Sequence, residues 1–295
     1  MIVLSGKEVS NNKLEELKIN TQEFIEKYGR KPTLAVILVG EDPASQTYVA
    51  SKKRACERIG FGHKDYILEA NTSQEDLNSL VDELNNDKSV DGVLVQMPLP
   101  KHLNEQEVIE RIKSDKDVDG FHPENVGKLL IGLDCFVSCT PKGIMAILDY
   151  YNIETKSKNV VIIGRSNIVG KPMASLLIQK GRDATVTIAH SRTKNLKELT
   201  SAADILIAAI GRPFFVTEDM VKDNAVVIDV GINRIEDSSR KRGYRVVGDV
   251  DYENVSKKAS AITPVPGGVG LMTIAMLMEN TIESAIKHEE KDING

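Results

Sequence analysis

The chain has 295 residues, of which 41% are hydrophobic and 27% charged, a composition typical of folded globular proteins and unlike that of disordered chains. This length favours two domains, each large enough to bury its own core. The net charge of -5, with lysines and arginines scattered along the chain, argues against a nucleic-acid partner.

Neither a membrane segment nor a disulfide framework is expected. No apolar run approaches the ~20 residues that span a bilayer, and the first residues lack the pattern of a signal peptide. The 3 cysteines and 5 histidines are dispersed and match no metal-binding spacing. We therefore expect a cytoplasmic protein with no membrane partner and no metal.

Short β-branched runs alternate with helical patterns along the first half of the chain. Such alternation is typical of parallel sheets covered by helices. The predicted strands are Thr33–Val39, Tyr66–Leu68 and Gly92–Val95. The predicted helices are Ser45–Ile59, Gln74–Asn85 and Glu105–Lys113. We expect a first α/β domain over residues 1–140.

A second α/β series follows a helix predicted over Ile144–Tyr151. Its predicted strands are Val160–Ile163, Thr185–Ala189, Ile205–Ala209 and Val226–Val230. These elements predict a second domain over residues 141–270. The segment 262–270 must form a shaped loop, because proline removes a backbone donor and fixes φ whereas glycine permits positive φ.

An apolar helical pattern closes the chain. The helix predicted over Leu271–Ile286 is too hydrophobic to stand alone, so we expect residues 271–287 to pack on the first domain. The charged tail from His288 to Gly295 is expected to fray.

A glycine-bearing turn follows the predicted strand Val160–Ile163. Gly164 and Gly170 lead from that strand into a helix, a setting in which backbone N–H groups and the helix dipole hold a phosphate. Ser166 replaces the middle glycine of the usual dinucleotide motif. On the pattern alone, a plain tight turn is about as good an explanation.

The end of the next strand favours NADP over NAD. NAD-binding folds usually have an acid there for the ribose hydroxyls, whereas this chain has Ser191, Arg192 and Lys194. Together with Arg165 in the preceding turn, these groups suit a 2′-phosphate. Any single arginine is more often a solvated surface charge, but two at these loop positions favour the phosphate.

One lysine falls inside an apolar helical stripe. The stripe has three- and four-residue spacing and consists of Tyr48, Val49, Ala55, Cys56 and Ile59. Lys52 lies within it and shares a face with Tyr48. Such a lysine often extends its ammonium to water while its stem covers apolar surface. The alternative is a desolvated lysine with a lowered pKa that acts as general acid and base.

Two further polar positions are candidates for a binding site. Gln96 ends a strand expected to be buried, where ligands bind in open α/β sheets. Asp117 and Asp119 lie in a turn-prone segment that leads into Gly120. Ordinary turn chemistry explains Asp119 about as well as a functional role does.

Seven segments, in family order, resemble the bifunctional methylenetetrahydrofolate dehydrogenase/cyclohydrolase family. They are residues 48–52, 90–100, 116–123, 139–143, 164–172, 229–233 and 263–270. Each is modest alone, but their order makes the match specific. The resemblance implies two three-layer α/β domains, the second a Rossmann-type NADP-binding domain, with the C-terminal helix packing back on the first.

The resemblance also implies a reaction in one-carbon metabolism and purine biosynthesis. NADP would oxidise 5,10-methylenetetrahydrofolate to 5,10-methenyltetrahydrofolate, which is then hydrolysed to 10-formyltetrahydrofolate. Lys52 would be the catalytic lysine and bind substrate, with Gln96 orienting it. Tyr48 would complete this catalytic set by stacking on the aminobenzoate ring, and Asp119 would hold the pterin edge.

Further implied contacts concern the cofactor and a substrate loop. The residues implied to bind NADP are Gly164, Arg165, Ser166, Ser191, Arg192 and Ile232. The loop from Pro264 to Gly270, with Gly267 and Gly268, would line the substrate cleft. Leu271 follows this loop where the family pattern has proline, which is expected to loosen the folate side of the cleft or alter its shape. A homodimer is also expected, as is typical of the family.

Three alternatives accompany this interpretation. The nearest is a dehydrogenase without cyclohydrolase activity, which the intact set of Tyr48, Lys52 and Gln96 disfavours. The others are an unrelated NADP-dependent reductase and a binding protein without turnover. Motifs in both halves of the chain argue against both.

Overall fold

The computed structural model describes residues 1–240 and 243–294, which form two compact units. The first comprises residues 11–139 and the segment from Ile274 onward, and we call it the three-stranded unit after its sheet. The second comprises residues 1–10 and 140–273, and we call it the six-stranded unit.

The elements alternate between strand and helix along most of the chain. The strands are β1 (Ile2–Val3), β2 (Thr33–Val39), β3 (Gly62–Leu68), β4 (Gly92–Val95), β5 (Asn159–Ile163), β6 (Thr185–Ala189), β7 (Ile205–Ala208), β8 (Val226–Asp229), β9 (Asn233–Glu236), β10 (Tyr244–Val247) and β11 (Ala261–Ile262). The α-helices are α1 (Gly6–Tyr28), α2 (Pro43–Ile59), α3 (Gln74–Asn86), α4 (Glu105–Arg111), α5 (Pro123–Ile131), α6 (Cys139–Tyr150), α7 (Gly170–Leu177), α8 (Leu196–Thr200), α9 (Tyr252–Val255) and α10 (Val269–Asn294). Within the described ranges, no helix has the length and apolar character needed to cross a bilayer.

In the three-stranded unit, β2 lies between β3 and β4, and both neighbours run parallel to it. β2 is a continuous apolar run after Thr33, and its residues from Leu34 onward are buried, as expected of a strand covered on both faces. Its inward side chains pack with α3 and the residues around α4 in one hydrophobic core. Parallel strands end at the same edge of a sheet, so Gln96 emerges from β4 at the carboxyl edge.

The six-stranded unit is built on a parallel sheet in the order β1-β11-β8-β7-β5-β6. Its central strands are apolar and buried, and they form the second hydrophobic core. β9 and β10 form a separate antiparallel pair. The turns that follow β5, β6 and β8 therefore lie along one edge of this sheet.

The first ten residues belong to the six-stranded unit, which differs from the predicted first domain. β1 pairs in parallel with β11, and Leu4 N donates to Ile262 O at 2.8 Å. The start of α1 also packs closely there, since a Cβ on Gly6 would lie 2.1 Å from Gly268 O. The chain thus begins as an edge strand of the second sheet.

The C-terminal helix continues beyond its predicted end. α10 runs through Asn294, so the prediction of a frayed tail is wrong for the described part, and Gly295 lies outside the described residues. Ion pairs from Lys287 to Asp134 and from Lys291 to Asp115 hold the last turns. From Ile274 the helix lies in the three-stranded unit, which confirms the predicted packing on the first domain.

The remaining elements show which helices and strands the sequence pattern predicted and which it missed. Predicted strands Thr33–Val39, Gly92–Val95 and Thr185–Ala189 agree with the structure to the residue. Helices α1 and α5 and the β9–β10 pair were not predicted. α6 begins at Cys139 rather than Ile144, because proline is tolerated in the first turn of a helix.

A buried carboxylate joins the start of β4 to the surrounding loops. Asp91 is 0% exposed and accepts from both terminal nitrogens of Arg30, at 2.8 Å each, and from Thr33 N at 2.8 Å. Burial raises the pKa of Asp91, but the hydrogen bonds from Arg30, His288 and Thr33 outweigh it and hold the pKa below its ordinary value. The stability gained from this carboxylate is therefore present above its ordinary pKa and is lost as the pH falls through the lowered pKa.

Replacing this carboxylate is expected to destabilise the three-stranded unit. Asp91→Asn should lower the free energy of unfolding by about 2–3 kcal/mol, because Arg30 loses a charged acceptor. Urea unfolding measures the effect. Asp82→Asn is the control, since Asp82 also pairs with an arginine, Arg111, but at the exposed surface. Equal effects of the two substitutions would contradict the prediction.

Candidate active site and cofactor site

Helix α2 orients the candidate catalytic lysine. The helix begins where the Asp42 side chain accepts from Ser45 N at 2.7 Å, and it buries Val49, Cys56 and Ile59. This packing leaves Lys52 half-buried. The direction in which Lys52 points is thereby fixed by buried Val49 and Cys56 on the two adjacent turns.

One member of the predicted apolar stripe is not buried. Tyr48 is 42% exposed, whereas Val49 and Ile59 of the same stripe are buried. Its ring lies one turn before Lys52 on α2. The exposed ring is therefore available to a ligand rather than to the core.

Lys52 and Gln96 meet although they are distant in sequence. Lys52 Nζ donates to Gln96 Oε1 at 2.7 Å. Gln96 Nε2 donates to Met97 O at 2.7 Å, and Gln96 N donates to Ile37 O at 2.8 Å. The amide group of Gln96 is thus held with its oxygen toward the lysine.

The surroundings of Lys52 lower the pKa of its amine. Burial lowers the pKa of Lys52, while the negative charge of Asp119 opposes this effect, and the net change is a lowered pKa. A larger neutral fraction near physiological pH makes the amine more capable of accepting a proton. The structure thus favours the desolvated lysine over one whose ammonium simply extends to water.

Asp119 lies near Lys52 in a cluster that includes a cysteine. Burial raises the pKa of Asp119, against the charge of Lys52 and the hydrogen bond from Cys139. Cys139 Sγ lies 3.7 Å from Asp119 Oδ1 and 3.6 Å from Val118 O, and both oxygens can accept its single thiol proton. Cys139 was not assigned a role from the sequence, because its closeness to Asp119 and Lys52 is a tertiary contact.

Turn chemistry accounts for Asp117 rather than for Asp119. Asp117 is buried and accepts from the backbone nitrogens of Phe121 and His122 and from Asn125 Nδ2. Burial raises the pKa of Asp117 to about 6. The carboxyl group is therefore mostly ionised at pH 7 and can accept hydrogen bonds from these three donors. Asp119 projects from the same segment into the lysine cluster, which favours a ligand-binding role.

The turn after β5 has the close backbone approach of a phosphate-binding site. Gly164 has φ +140°, and a Cβ on Gly170 would lie 2.1 Å from Gly164 O. Ser166 is exposed and its hydroxyl accepts from Val169 N at 3.1 Å. The glycine turn and the exposed Ser166 at the start of α7 fit a nucleotide phosphate.

The remaining predicted cofactor residues lie along the same sheet edge. β5 and β6 are paired, with Ile163 opposite Ala189, so their turns are adjacent. Arg165, Ser191 and Arg192 are exposed within those turns. Ile232, which follows β8, is 52% exposed, so its side chain is accessible at this edge.

The predicted substrate loop lies after β11 in the six-stranded unit. Gly267 has φ +107°, and its carbonyl accepts from Lys7 N at 3.0 Å. A Cβ on Gly268 would lie 2.5 Å from Pro264 O, so the loop folds tightly on itself. Pro264 also borders a cavity of about 820 Å³ beside β10.

Two family models match the chain. The model for the catalytic domain of tetrahydrofolate dehydrogenase/cyclohydrolase matches residues 4–119, and the model for the NAD(P)-binding domain of the same enzymes matches residues 138–289. The chain belongs to the tetrahydrofolate dehydrogenase/cyclohydrolase family.

Relatives match this family member over nearly its whole length. The bifunctional protein FolD of Chlorobium phaeobacteroides (strain BS1) is 58% identical and covers 97% of this chain and 98% of its own. A crystal structure of FolD from Campylobacter jejuni has a TM-score of 0.92 at 51% identity, covering 97% and 99% of the two chains. The Trypanosoma brucei FolD structure, a complex with NADP cofactor and an inhibitor, has a TM-score of 0.93 at 38% identity, covering 97% and 98%.

These matches confirm the predicted family, the two-domain α/β fold with its NAD(P)-binding domain, the enzyme class and NADP as cofactor. The dehydrogenase/cyclohydrolase enzymes of the family carry two domains, and both have counterparts in this chain. The roles of individual residues are taken up below.

Removing the Asp119 charge is expected to change the pH dependence of hydrolysis. The carboxylate of Asp119 raises the pKa of Lys52, so Asp119→Asn should move the lysine ionisation in the pH–rate profile of kcat to lower pH. Asp65→Asn is the matched control, because Asp65 pairs with the neighbouring Lys53 at 3.5 Å. A profile of Asp119→Asn identical to that of the control would refute this electrostatic coupling.

Adding a methyl group at Gly170 is expected to open the phosphate turn. Gly170→Ala should weaken NADP binding at least about tenfold, because its Cβ would clash with Gly164 O. Fluorescence titration with NADPH measures this. Gly127→Ala is the control, since a Cβ there would meet no atom within 4 Å apart from its chain neighbours and the backbone of its own helix. Unchanged affinity in Gly170→Ala would show that this turn does not hold the nucleotide.

Proposed function

We propose that this chain oxidises 5,10-methylenetetrahydrofolate with NADP and hydrolyses the product to 10-formyltetrahydrofolate, with Lys52 as the acid–base group of the hydrolysis. The observation that carries the proposal is the hydrogen bond of 2.7 Å from Lys52 Nζ to Gln96 Oε1, in surroundings that lower the pKa of the lysine. A lysine of this kind suits proton transfer near neutral pH.

The oxidation requires alignment more than proton transfer. The bridging carbon of the substrate releases hydride readily, because the two flanking nitrogens stabilise the methenyl cation. NADP supplies the hydride acceptor when it is bound. The turn from Gly164 to Gly170 would hold its phosphates, while Arg165, Ser166, Ser191 and Arg192 would bind the adenosine side and Ile232 would cover an apolar part of the cofactor.

The hydrolysis needs two proton transfers, one from the attacking water and one to the ring nitrogen that leaves the methenyl carbon. Neutral Lys52 would accept a proton from the water that adds to the methenyl carbon. The resulting ammonium would then donate a proton to the ring nitrogen as its bond to that carbon breaks. The hydroxyl proton leaves to solvent as the formyl group forms, so one proton is released overall. The cationic substrate would lower the pKa of Lys52 further.

The remaining site residues would bind and orient the folate. Gln96 would direct the amine, since its own amide is fixed by Met97 O. The exposed ring of Tyr48 would stack on the aminobenzoate ring. Asp119 would accept from the pterin edge. The substrate loop would contribute through Pro264, Gly267 and Gly268.

We further propose a cytoplasmic homodimer that supplies 10-formyltetrahydrofolate to purine biosynthesis. The family resemblance supports the dimer and the biosynthetic role. The net charge of -5 supports a protein without a nucleic-acid partner, and the absence of a long apolar run in the sequence supports one without a membrane partner. Partners would then be tetrahydrofolate derivatives and a second copy of the chain.

The nearest alternative is a dehydrogenase that does not hydrolyse. The hydrogen-bonded pair of Lys52 and Gln96 favours the bifunctional enzyme, because oxidation alone does not need a lysine held for proton transfer. Oxidation and hydrolysis can be assayed separately on the same protein, so comparing the two activities decides between the bifunctional enzyme and the dehydrogenase.

Paired assays of Lys52→Met provide the test. Hydrolysis of methenyltetrahydrofolate should fall at least about 100-fold, as expected for loss of a general acid–base group. Lys53→Met is the control, because Lys53 is the adjacent residue and is exposed; it should keep both activities. Wild-type enzyme that oxidises but never hydrolyses would establish the monofunctional alternative, and full hydrolysis by Lys52→Met would remove Lys52 from the mechanism.

A further inference from the structure

One fully buried amide stands out on the apolar C-terminal helix. Asn280 is 0% exposed and lies on α10 among buried neighbours such as Met276 and Leu277. A buried side-chain amide is costly unless it is hydrogen-bonded. Its hydrogen bonds therefore indicate why an asparagine is tolerated here.

The amide of Asn280 bridges two loops. Asn280 Nδ2 donates to Val118 O at 2.8 Å and to Val137 O at 3.0 Å. An amide nitrogen carries two hydrogens, and these two carbonyls accept both. Val118 immediately precedes Asp119, and Val137 lies two residues before Cys139.

The two loops are also in direct contact. Gly120 has φ +71°, and a Cβ there would lie 2.5 Å from Ser138 N. The thiol of Cys139 donates to Val118 O at 3.6 Å, the same carbonyl that accepts from Asn280. The positions of Asp119 and Cys139 are therefore linked through one shared acceptor.

We propose that Asn280 is a positioning residue that holds Asp119 and Cys139 in place around Lys52. The inference rests on the proposed function, since it assigns Asn280 an effect on folate binding and on hydrolysis. Asn280 acts through the two backbone carbonyls and need not touch the substrate. The distance between the two loops is then set by a helix that follows them by more than 100 residues.

Two consequences distinguish positioning from simple helix packing. Asp119 would bind the pterin, so a displaced Asp119 weakens folate binding. The Asp119 carboxylate raises the pKa of Lys52, so its displacement away from the amine lowers that pKa. Loss of helix packing alone changes stability without either effect.

Ser284 offers a matched control on the same helix. It is also 0% exposed, and its hydroxyl lies 2.6 Å from Asp91 O and 2.7 Å from Asp115 O. It is one turn beyond Asn280 and likewise bonds backbone carbonyls of the three-stranded unit. Those carbonyls do not adjoin Asp119 or Cys139, so Ser284→Ala reports on packing alone.

The experiment compares Asn280→Leu, Asn280→Ser and Ser284→Ala in the full-length protein. In the Asn280 variants we expect KM for methylenetetrahydrofolate to rise about tenfold, as for loss of one to two buried hydrogen bonds. We also expect the hydrolysis profile to shift to lower pH and the Kd of NADP to change less than twofold. In Ser284→Ala only the melting temperature should fall.

The proposal is overturned if the Asn280 variants lose stability but keep the KM and the pH profile of Ser284→Ala. Asn280→Ser retains a hydroxyl donor and decides the matter should Asn280→Leu fail to fold. Equilibrium binding of tetrahydrofolate gives a readout without turnover. Wild-type protein that binds tetrahydrofolate but neither oxidises nor hydrolyses would refute the proposed function, whereas active wild type with unaltered Asn280 variants would refute only this inference.

Discussion

The hydrogen bond between Lys52 Nζ and Gln96 Oε1 is the contact on which the candidate active site depends. It forms because α2 buries one face while β4 delivers Gln96 at the carboxyl edge of the sheet. Burial then lowers the pKa of Lys52, and Asp119 limits how far it falls. The same packing that stabilises the unit thus gives an amine that can exchange a proton, at the cost of desolvating it.

Both units use the same geometric rule for different ligands. Parallel strands place the residues that follow them at one edge, where the three-stranded unit has Gln96. The six-stranded unit has the turn from Gly164 to Gly170 and the loop after β11 at the corresponding edge. The candidate acid–base groups accordingly lie in one unit, and the candidate phosphate-binding turn lies in the other.

Local pattern predicted much of the fold, and tertiary contact decided the rest. β2 was predicted to the residue because β-branched runs are a local signal. α1 was missed although buried Leu14, Leu17 and Phe24 repeat at helical spacing. Lys52 was found as an exception to an apolar stripe, but its partner lies 44 residues away. Roles for Cys139 and Asn280 could not be predicted, because both depend on tertiary contacts: Cys139 with Asp119, 20 residues away, and Asn280 with Val118 O, 162 residues away.

Direct titration of Lys52 tests the central claim most closely. The protein would be labelled with ¹³C at lysine Cε, and the resonance absent from Lys52→Met would be assigned to Lys52 and followed with pH. We predict a pKa clearly below the ordinary lysine value of about 10.4, and lower still in Asp119→Asn. A Lys52 resonance that titrates at or above the ordinary value in both proteins would contradict the account.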